Sequence, residues 1–489
     1  MCTLNLSEYD TFEIEKITTT SFPATTIEAH DAVPFCKKCG NQETQVFLKN
    51  GNEYCKRCFL IILRHKFRAT LSKSKSVHRN ESILVAHSGK ANSTLLLHLI
   101  ATDTNESISK KPQFSFKVLY IDDGTAKGRS IKERESIQSA LAKEAENLQL
   151  TMYILPLSNC VTDSICEEMQ LVNAPLMNTT TSENTTVQEI FDNLENDTAK
   201  DELLQQLRLK LLVSAARKLN CNKIFIADAS VDLAVKVLGN VSTGRGSQLP
   251  FNVAFSDTRY KDVTLLRPLR DFTRDDITGY LECYNLHPIF NCDKYNSSFP
   301  ASIRNVTKNF VHKLDSEFHS TVPTIYRTSE KLDTKRMECE NSNTKIDDNV
   351  DSDNNICVLC ELTSNSSYLS KEQPTSVAQA KLFSKLVSTV ADTSLSMMAT
   401  NSLNIHELSS NEQIKSTNAL KKEEHQCQSD IHKSFLKQSI IEKYLCYGCR
   451  LIFLNSKQVD NILPNFISNA IQKKSQIAHL EKEISDFLL

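Results

Sequence analysis

Residues Ile83 to Ile100 read ILVAHSGKANSTLLLHLI, and the reading of this stretch decides the fold. Ile83, Leu84, Val85 and Ala86 form a short apolar run of the kind that makes a buried strand. His87 to Ser93 are small or polar. The chain then turns apolar again, with Leu95, Leu96, Leu99 and Ile100 on roughly one side of a helix. A strand, a small-residue turn and a helix present free backbone N–H groups at a helix N-terminus, which suits a phosphate. The alternative is an ordinary strand-to-helix turn rich in small residues.

The same alternation continues downstream. Phe116 to Ile121 (FKVLYI) predicts a second strand, and Ile137, Leu141, Ala145 and Leu148 mark a helix over Ile131 to Leu148. Met152 to Leu157 predicts a third strand. Leu203, Leu204, Leu207, Leu211, Leu212, Ala215 and Leu219 mark another helix, and Lys223 to Ala227 (KIFIA) a fourth strand. Val263 to Leu269 predicts a further strand and Thr273 to Leu286 a further helix. Strands alternating with helices predict an α/β fold, a parallel sheet covered on both faces. In such sheets ligands sit beyond the C-terminal strand ends, where the loop after Ala86 and the segment after Ala227 both lie.

The chain has 489 residues, enough for two or three domains, and a net charge of −2. It is no polycation, so nucleic-acid contact has to come from local basic patches. No stretch has the apolar length of a bilayer span, and MCTLNLSEYD lacks the start of a secretory signal; a cytoplasmic protein with no membrane contact is expected.

Eight of the 16 cysteines fall in four Cys-x-x-Cys pairs. Cys36, Cys39, Cys55 and Cys58 follow the spacing C-x2-C-x15-C-x2-C, which predicts one tetrahedral structural zinc site. Thiolates bind zinc well because they are soft and lose their protons on binding. A redox dithiol is the alternative. Cys357 and Cys360 lie far from Cys446 and Cys449, yet loop-closure entropy grows slowly with length, so these four predict a second zinc site. Two separate pairs are the other reading.

Arg64, Lys66 and Arg68 lie in a dense basic stretch after the first cysteines, and Arg245 lies in a cationic Gly-Arg-Gly loop. They are the candidate RNA contacts; a solvated helix face is the alternative for the stretch. Domain expectations follow composition. A mobile tail covers 1–33, and the first zinc module with its basic segment 34–80. The α/β domain covers 81–300, with a polar surface insertion at about 159–200. A low-complexity, largely disordered region carrying one Cys-x-x-Cys covers 301–440, and a C-terminal Cys-x-x-Cys module with a helix covers 441–489.

Ser88-Gly89-Lys90-Ala91-Asn92-Ser93 resembles the phosphate loop of the PP-loop ATP-pyrophosphatase family, Ser-Gly-Gly-x-Asp-Ser. Ser88, Gly89 and Ser93 match; Lys90 replaces the second glycine and Asn92 the aspartate, which argues against ATP use. The resemblance implies a doubly wound parallel sheet of the PP-loop kind, flanked by the four-cysteine zinc modules. It also marks Ser88, Gly89, Lys90 and Ser93 as a degenerate cofactor-binding loop.

Taken with the knuckles, CFLIILRHKFRATL, GRGSQLPF, LLRPLRD and CYGCR, the chain resembles the second subunits of the cytoplasmic tRNA 2-thiolation complex. That resemblance implies a part in exchanging oxygen for sulfur at the wobble uridine of tRNAs for Lys, Glu and Gln, to give 5-methoxycarbonylmethyl-2-thiouridine. It implies tRNA and a catalytic thiolase subunit as partners, the ubiquitin-related modifier as sulfur carrier, and a link to urmylation. Active sisters carry Gly-His-Asn-x-Asp-Asp-x-x-Glu after the fourth strand; here Ala227, Asp228, Ala229, Ser230, Val231, Asp232 and Val235 stand there, and only Asp232 matches. Where the sisters have catalytic cysteines, this chain has Thr198-Ala199-Lys200-Asp201 and Gly244-Arg245-Gly246. Cys160, Cys166 and Cys221 are at the wrong spacing. No catalytic residue is therefore expected, and the alternative is an ATP-dependent tRNA sulfurtransferase with Lys90 as phosphate ligand.

Overall fold

The computed structural model describes residues 35–42, 46–48, 51–78, 80–106, 114–160, 170–171, 181–290, 299–318, 320–329, 331, 356–362, 443–453 and 465–488. The expected N-terminal tail and most of 332–442 lie outside the described residues.

Five parallel strands form the centre: β3 (Ser82–His87), β4 (Ser115–Asp122), β5 (Met152–Pro156), β7 (Lys223–Phe225) and β9 (Thr264–Leu266). Antiparallel β6 (Gln170–Leu171) and β8 (Ser256–Asp257) close the two edges. The spatial order is β6-β5-β4-β3-β7-β9-β8. From β3 the chain first winds towards β4 and β5, then crosses back to β7 and β9. The sheet is doubly wound, and its order reverses beside β3, so the C-terminal ends of β3 and β7 mark the switch point where sheets of this kind form their crevice.

Successive strand residues point to opposite faces, and the core divides accordingly. Ile83, Val85, Val118, Tyr120, Met152, Ile154, Phe225 and Leu266 share one core with α2 (Ala91–Glu106), α3 (Ile131–Leu148) and α8 (Arg274–Tyr284). Leu84, Leu119, Leu155, Ile224 and Leu265 share the other with α5 (Asp197–Lys218). This near-continuous burial on both faces is why the strands read as apolar runs rather than as alternating patterns.

The strand boundaries are tighter than the sequence suggests. The third strand ends at Pro156, because Leu157–Cys160 winds into a 3-10 turn. Past Phe225, Ile226 N–H still donates to the Leu266 carbonyl at 2.9 Å before the backbone leaves for the crevice.

Two expectations about organisation are corrected. The described part of the 159–200 insertion contains α4 (Thr181–Asn193), whose Val187 and Phe191 are buried with the α5 core. Its Asn- and Thr-rich composition describes the outer face only. Residues after 300 also continue the folded body: α9 (Ile303–Glu317) and α10 (Thr321–Ser329) pack Val311 and Val322 against Val231, Ala234 and Val235 of α6 (Ser230–Ser242). Five apolar residues on three short helix faces suffice to seal this layer, too sparse a pattern to stand out in a polar segment.

Candidate functional site

The first cysteine group joins a knuckle to a helix start. Cys36 N–H donates to the Asn41 carbonyl at 2.7 Å, and Gly40 N–H to the Cys36 carbonyl at 2.8 Å. Gly40 takes φ +71, a left-handed turn that glycine adopts without strain. After the short hairpin β1 (Val46–Phe47) and β2 (Glu53–Tyr54), Cys55 and Cys58 lie at the N-terminus of α1 (Lys56–Ser74). The second group repeats this build. Cys357 N–H donates to the Leu362 carbonyl and Glu361 N–H to the Cys357 carbonyl, both at 2.9 Å, while Cys446 and Cys449 open α11 (Tyr447–Phe453). The positive end of a helix favours thiolate over thiol.

In each group the four sulfurs lie within 4.8 Å of one another. Cys39 and Cys55 are 3.7 Å apart and Cys360 and Cys446 3.6 Å. Tetrahedral zinc with bonds of about 2.3 Å sets its sulfurs about 3.8 Å apart, so both donor sets fit that ion. The groups differ in setting. Cys39 is exposed and Cys55 half-buried, whereas all four cysteines of the second group are buried.

The second group is also tied to the α/β body by residues sequence reasoning missed or misread. Gln248 Nε2 approaches the Cys446 and Cys360 sulfurs at 3.4 and 3.7 Å. Arg245 Nη1 approaches Cys449 Sγ at 3.8 Å, its Nη2 donates to the Gly448 carbonyl at 2.8 Å, and its Nε pairs with Glu202 at 3.1 Å. Burial lowers the Arg245 pKa, but the Cys449 thiolate and then Glu202 outweigh it and hold the guanidinium above its ordinary range. Close approach is secured by small residues: a Cβ at Gly448 would stand 2.6 Å from the Arg245 chain, and one at Gly244 2.7 Å from the Tyr447 ring. Arg245 is 2% exposed, so the expectation that it contacts RNA is corrected; a buried charge goes to the partners that desolvate it least.

Lys66 is corrected in part for the same reason. It pairs with Asp276 at 2.8 Å and lies over the Phe272 ring at 5.1 Å, fastening α1 to α8. Arg64 is half-buried and Arg68 exposed on α1.

The loop after β3 is the third feature. Ser93 Oγ accepts from the N–H groups of Ser88 and Lys90, both at 3.2 Å, and donates to the Lys90 carbonyl at 2.9 Å. Gly89 has φ +71, and its carbonyl accepts from Phe290 N–H at 2.8 Å. A Cβ at position 89 would stand 2.8 Å from the Phe290 ring. Asn92, in the place of the family aspartate, donates to Asp232 Oδ2 at 2.6 Å. Asp228 is held by Lys236 at 2.5 Å and Arg267 at 3.1 Å. The loop thus brings Ser88, Gly89, Lys90 and Ser93 together, but its N–H groups at 88 and 90 turn inward to Ser93.

A family model described as cytoplasmic tRNA 2-thiolation protein 2 matches residues 302–451. The cytoplasmic tRNA 2-thiolation protein 2-A of Xenopus laevis is 26% identical over 515 residues, covering 93% of this chain and 94% of the relative. The cytoplasmic tRNA 2-thiolation protein 2 of Anopheles gambiae is 30% identical, over 62% of this chain and 73% of the relative. This chain belongs to the cytoplasmic tRNA 2-thiolation protein 2 family. A U34-tRNA thiolase of Methanococcus maripaludis, solved with its [4Fe-4S] cluster, is similar at 20% identity and a TM-score of 0.45, over 61% of this chain and 86% of that one.

As a member of this family, the chain takes part in tRNA 2-thiolation in the cytoplasm, the location expected from its sequence. Among the described residues no helix is long and apolar enough to cross a membrane. The family match at 302–451 spans α9, α10 and all four cysteines of the second group, the part of the chain whose composition is least like a folded domain.

Proposed function

We propose that this chain is a non-catalytic subunit of the complex that thiolates the wobble uridine of tRNAs for Lys, Glu and Gln. It pairs with a catalytic thiolase subunit that activates the uridine with ATP and receives sulfur from the thiocarboxylated ubiquitin-related modifier, with a link to protein urmylation. Activation is needed because an amide-like carbonyl oxygen leaves poorly and AMP leaves well. This chain contributes a docking body and a hold on tRNA.

The observation that carries the reading is the loop at Ser88–Ser93. A nucleotide phosphate needs backbone N–H groups and open space at the glycines. Here Ser93 Oγ occupies the N–H groups of Ser88 and Lys90, and Phe290 covers Gly89. Among the described residues the thiols nearest the missing family cysteines offer no ready nucleophile: Cys160 and Cys221 are buried, and burial pushes the Cys160 thiol up to about 12.

Cys36, Cys39, Cys55 and Cys58 would hold one zinc, and Cys357, Cys360, Cys446 and Cys449 another. Four thiolates leave no open coordination position, so zinc there supplies cross-linking.

Mass spectrometry of tRNA tests the reading. Removing the chain abolishes the 2-thio group, whereas Ser88→Ala with Asn92→Ala leaves most of it. Loss of the 2-thio group in a double variant that still folds and binds its partner would make this chain an ATP-dependent tRNA sulfurtransferase in its own right.

A further inference from the structure

We propose that the crevice beyond the C-terminal ends of β3 and β7, on the side of the turn after β4, binds the phosphodiester backbone of RNA through side-chain cations alone. The inference rests on the reading of this chain as a subunit that holds tRNA, and it moves the RNA contact away from Arg245 and Lys66.

Asp123 is a buried carboxylate just past the end of β4. Lys127 reaches it at 2.9 Å, Arg129 at 4.0 Å, and Arg208 of α5 also reaches it. One carboxylate cannot neutralise three cations. Lys90, in the loop after β3, lies in the field of Arg208, Lys127 and Lys308, with Asp232 acting in the opposite sense. Arg304, one turn before Lys308 on α9, pairs with Asp201 at 3.4 Å. Six cations from the β3 loop, the β4 turn, α5 and α9 therefore meet three carboxylates, Asp123, Asp201 and Asp232, while Asp122, which also acts on Lys127, is taken by Arg134 at 2.7 Å.

A chain of net charge −2 has no general surplus of cations to place here. Like charges held together inside a crevice repel strongly, because the surroundings screen them less than water does. Desolvation and then Arg208, Lys127 and Lys308 lower the Lys90 pKa to about 8, although part of that side chain is open to solvent. Burial and then Arg129 lower Lys127 to about 7. An anion bound among them would relieve this repulsion and restore both amines to full charge.

The form of the anion follows from the loop. Its N–H groups at 88 and 90 are taken and Gly89 is covered, so a triphosphate finds no backbone cradle. What remains are amines and guanidiniums spread over several elements, which match separate single charges along a strand. Arg129 lies 4.5 Å over the Phe290 ring, which fixes the plane of its guanidinium at the crevice. Lys90 and Lys308 are exposed and free to meet phosphates as point charges.

The test uses the full chain in complex with its partner and a labelled tRNA, followed by fluorescence anisotropy across a salt series. Lys90→Glu with Lys308→Glu changes two exposed side chains and spares the Asp123 cluster. Affinity should fall about tenfold or more, and the slope of log K against log salt should shrink by about two. Wild-type affinity should also fall as pH rises past about 7 and then about 8, where Lys127 and then Lys90, faced by Arg208, Lys127, Lys308 and Asp232, lose their protons; Lys90→Arg should remove the later part of that dependence and leave the earlier one. Wild-type binding with unchanged affinity and slope in the double variant overturns the crevice while leaving the tRNA-holding reading intact. So does a loss that appears only with Arg64→Glu and Arg68→Glu on α1, or displacement of the tRNA by ATP. A wild-type complex whose tRNA affinity equals that of the partner alone overturns the tRNA-holding reading itself.

Discussion

Arg245 shows how one side chain joins two parts of this molecule. Its guanidinium is buried between Glu202 of α5 and the Gly448–Cys449 backbone and sulfur, so it is held by the body and holds the C-terminal centre. Arg245→Met keeps much of the volume but removes every N–H donor. The loss leaves Glu202 without its cation and Cys449 without its donor, and breaking a buried pair in this way costs about 3–5 kcal/mol. Denaturant unfolding of the full chain should show that loss, with the first cysteine centre keeping its metal. A variant as stable as the wild type would mean that the guanidinium only fills space. Lys66 teaches the same lesson on the opposite face of the sheet: read from sequence it belongs to a basic stretch, yet its ammonium is spent on Asp276.

At the scale of elements, the two cysteine centres are one design built twice, a knuckle followed by a helix N-terminus. The difference lies at the turn residue. Gly40 takes φ +71 in the first knuckle, while Glu361 takes φ +56 at the equivalent place in the second. A side chain in the left-handed region costs about 1–2 kcal/mol through crowding of its Cβ. Glu361→Gly should therefore leave metal binding intact and raise the melting temperature, with a gain of about 1 kcal/mol after the added freedom of glycine in the unfolded chain is subtracted. An unchanged or lower melting temperature would show that the Glu361 side chain contributes contacts worth as much as the strain. The same scale explains α4: among its described side chains Val187 and Phe191 are buried and Ile190 packs beside them, so the helix needs few apolar residues.

Across the whole molecule, the two centres clamp opposite faces of one sheet. The first acts through α1, whose Phe59, Leu63 and Phe67 join the core of α2 and α8. The second brings Ile452 and Phe453 of α11, and Ile467 and Ile471 of α12 (Asn465–Leu488), onto the α5 face. Cys360 and Cys446 lie 86 positions apart, so a metal held by both would close a long excursion; in the chain-entropy picture such a closure is worth about 4–5 kcal/mol. Cys39 is exposed and Cys55 half-buried, whereas the second centre is buried and braced by Gln248 and Arg245. A chelator should accordingly withdraw two zinc ions per chain in two phases. The fast phase should vanish in Cys36→Ser, and Gln248→Ala should speed the slow one alone. Metal analysis finding fewer than two zinc ions, or release in a single phase, would contradict this asymmetry.

The sequence by itself determined the sheet and the two four-cysteine groups. Buried strands flanked by helices on both faces need near-continuous apolar runs, and those runs lie at β3, β4 and β5 in plain view. Paired cysteines two residues apart are a local signal, because a knuckle turn is local geometry. Only the tertiary structure decided what each cation does. Arg245 meets Gly448 across 203 positions and Lys66 meets Asp276 across 210, and the crevice gathers Lys90, Lys127, Arg208 and Lys308 from four separate elements. Charge acts through space and carries no periodicity along the chain, so a basic stretch reads the same whether its side chains face water, a carboxylate or a thiolate. The reversal of strand order beside β3 determines which of these cations surround the crevice, and that reversal is a property of the folded sheet.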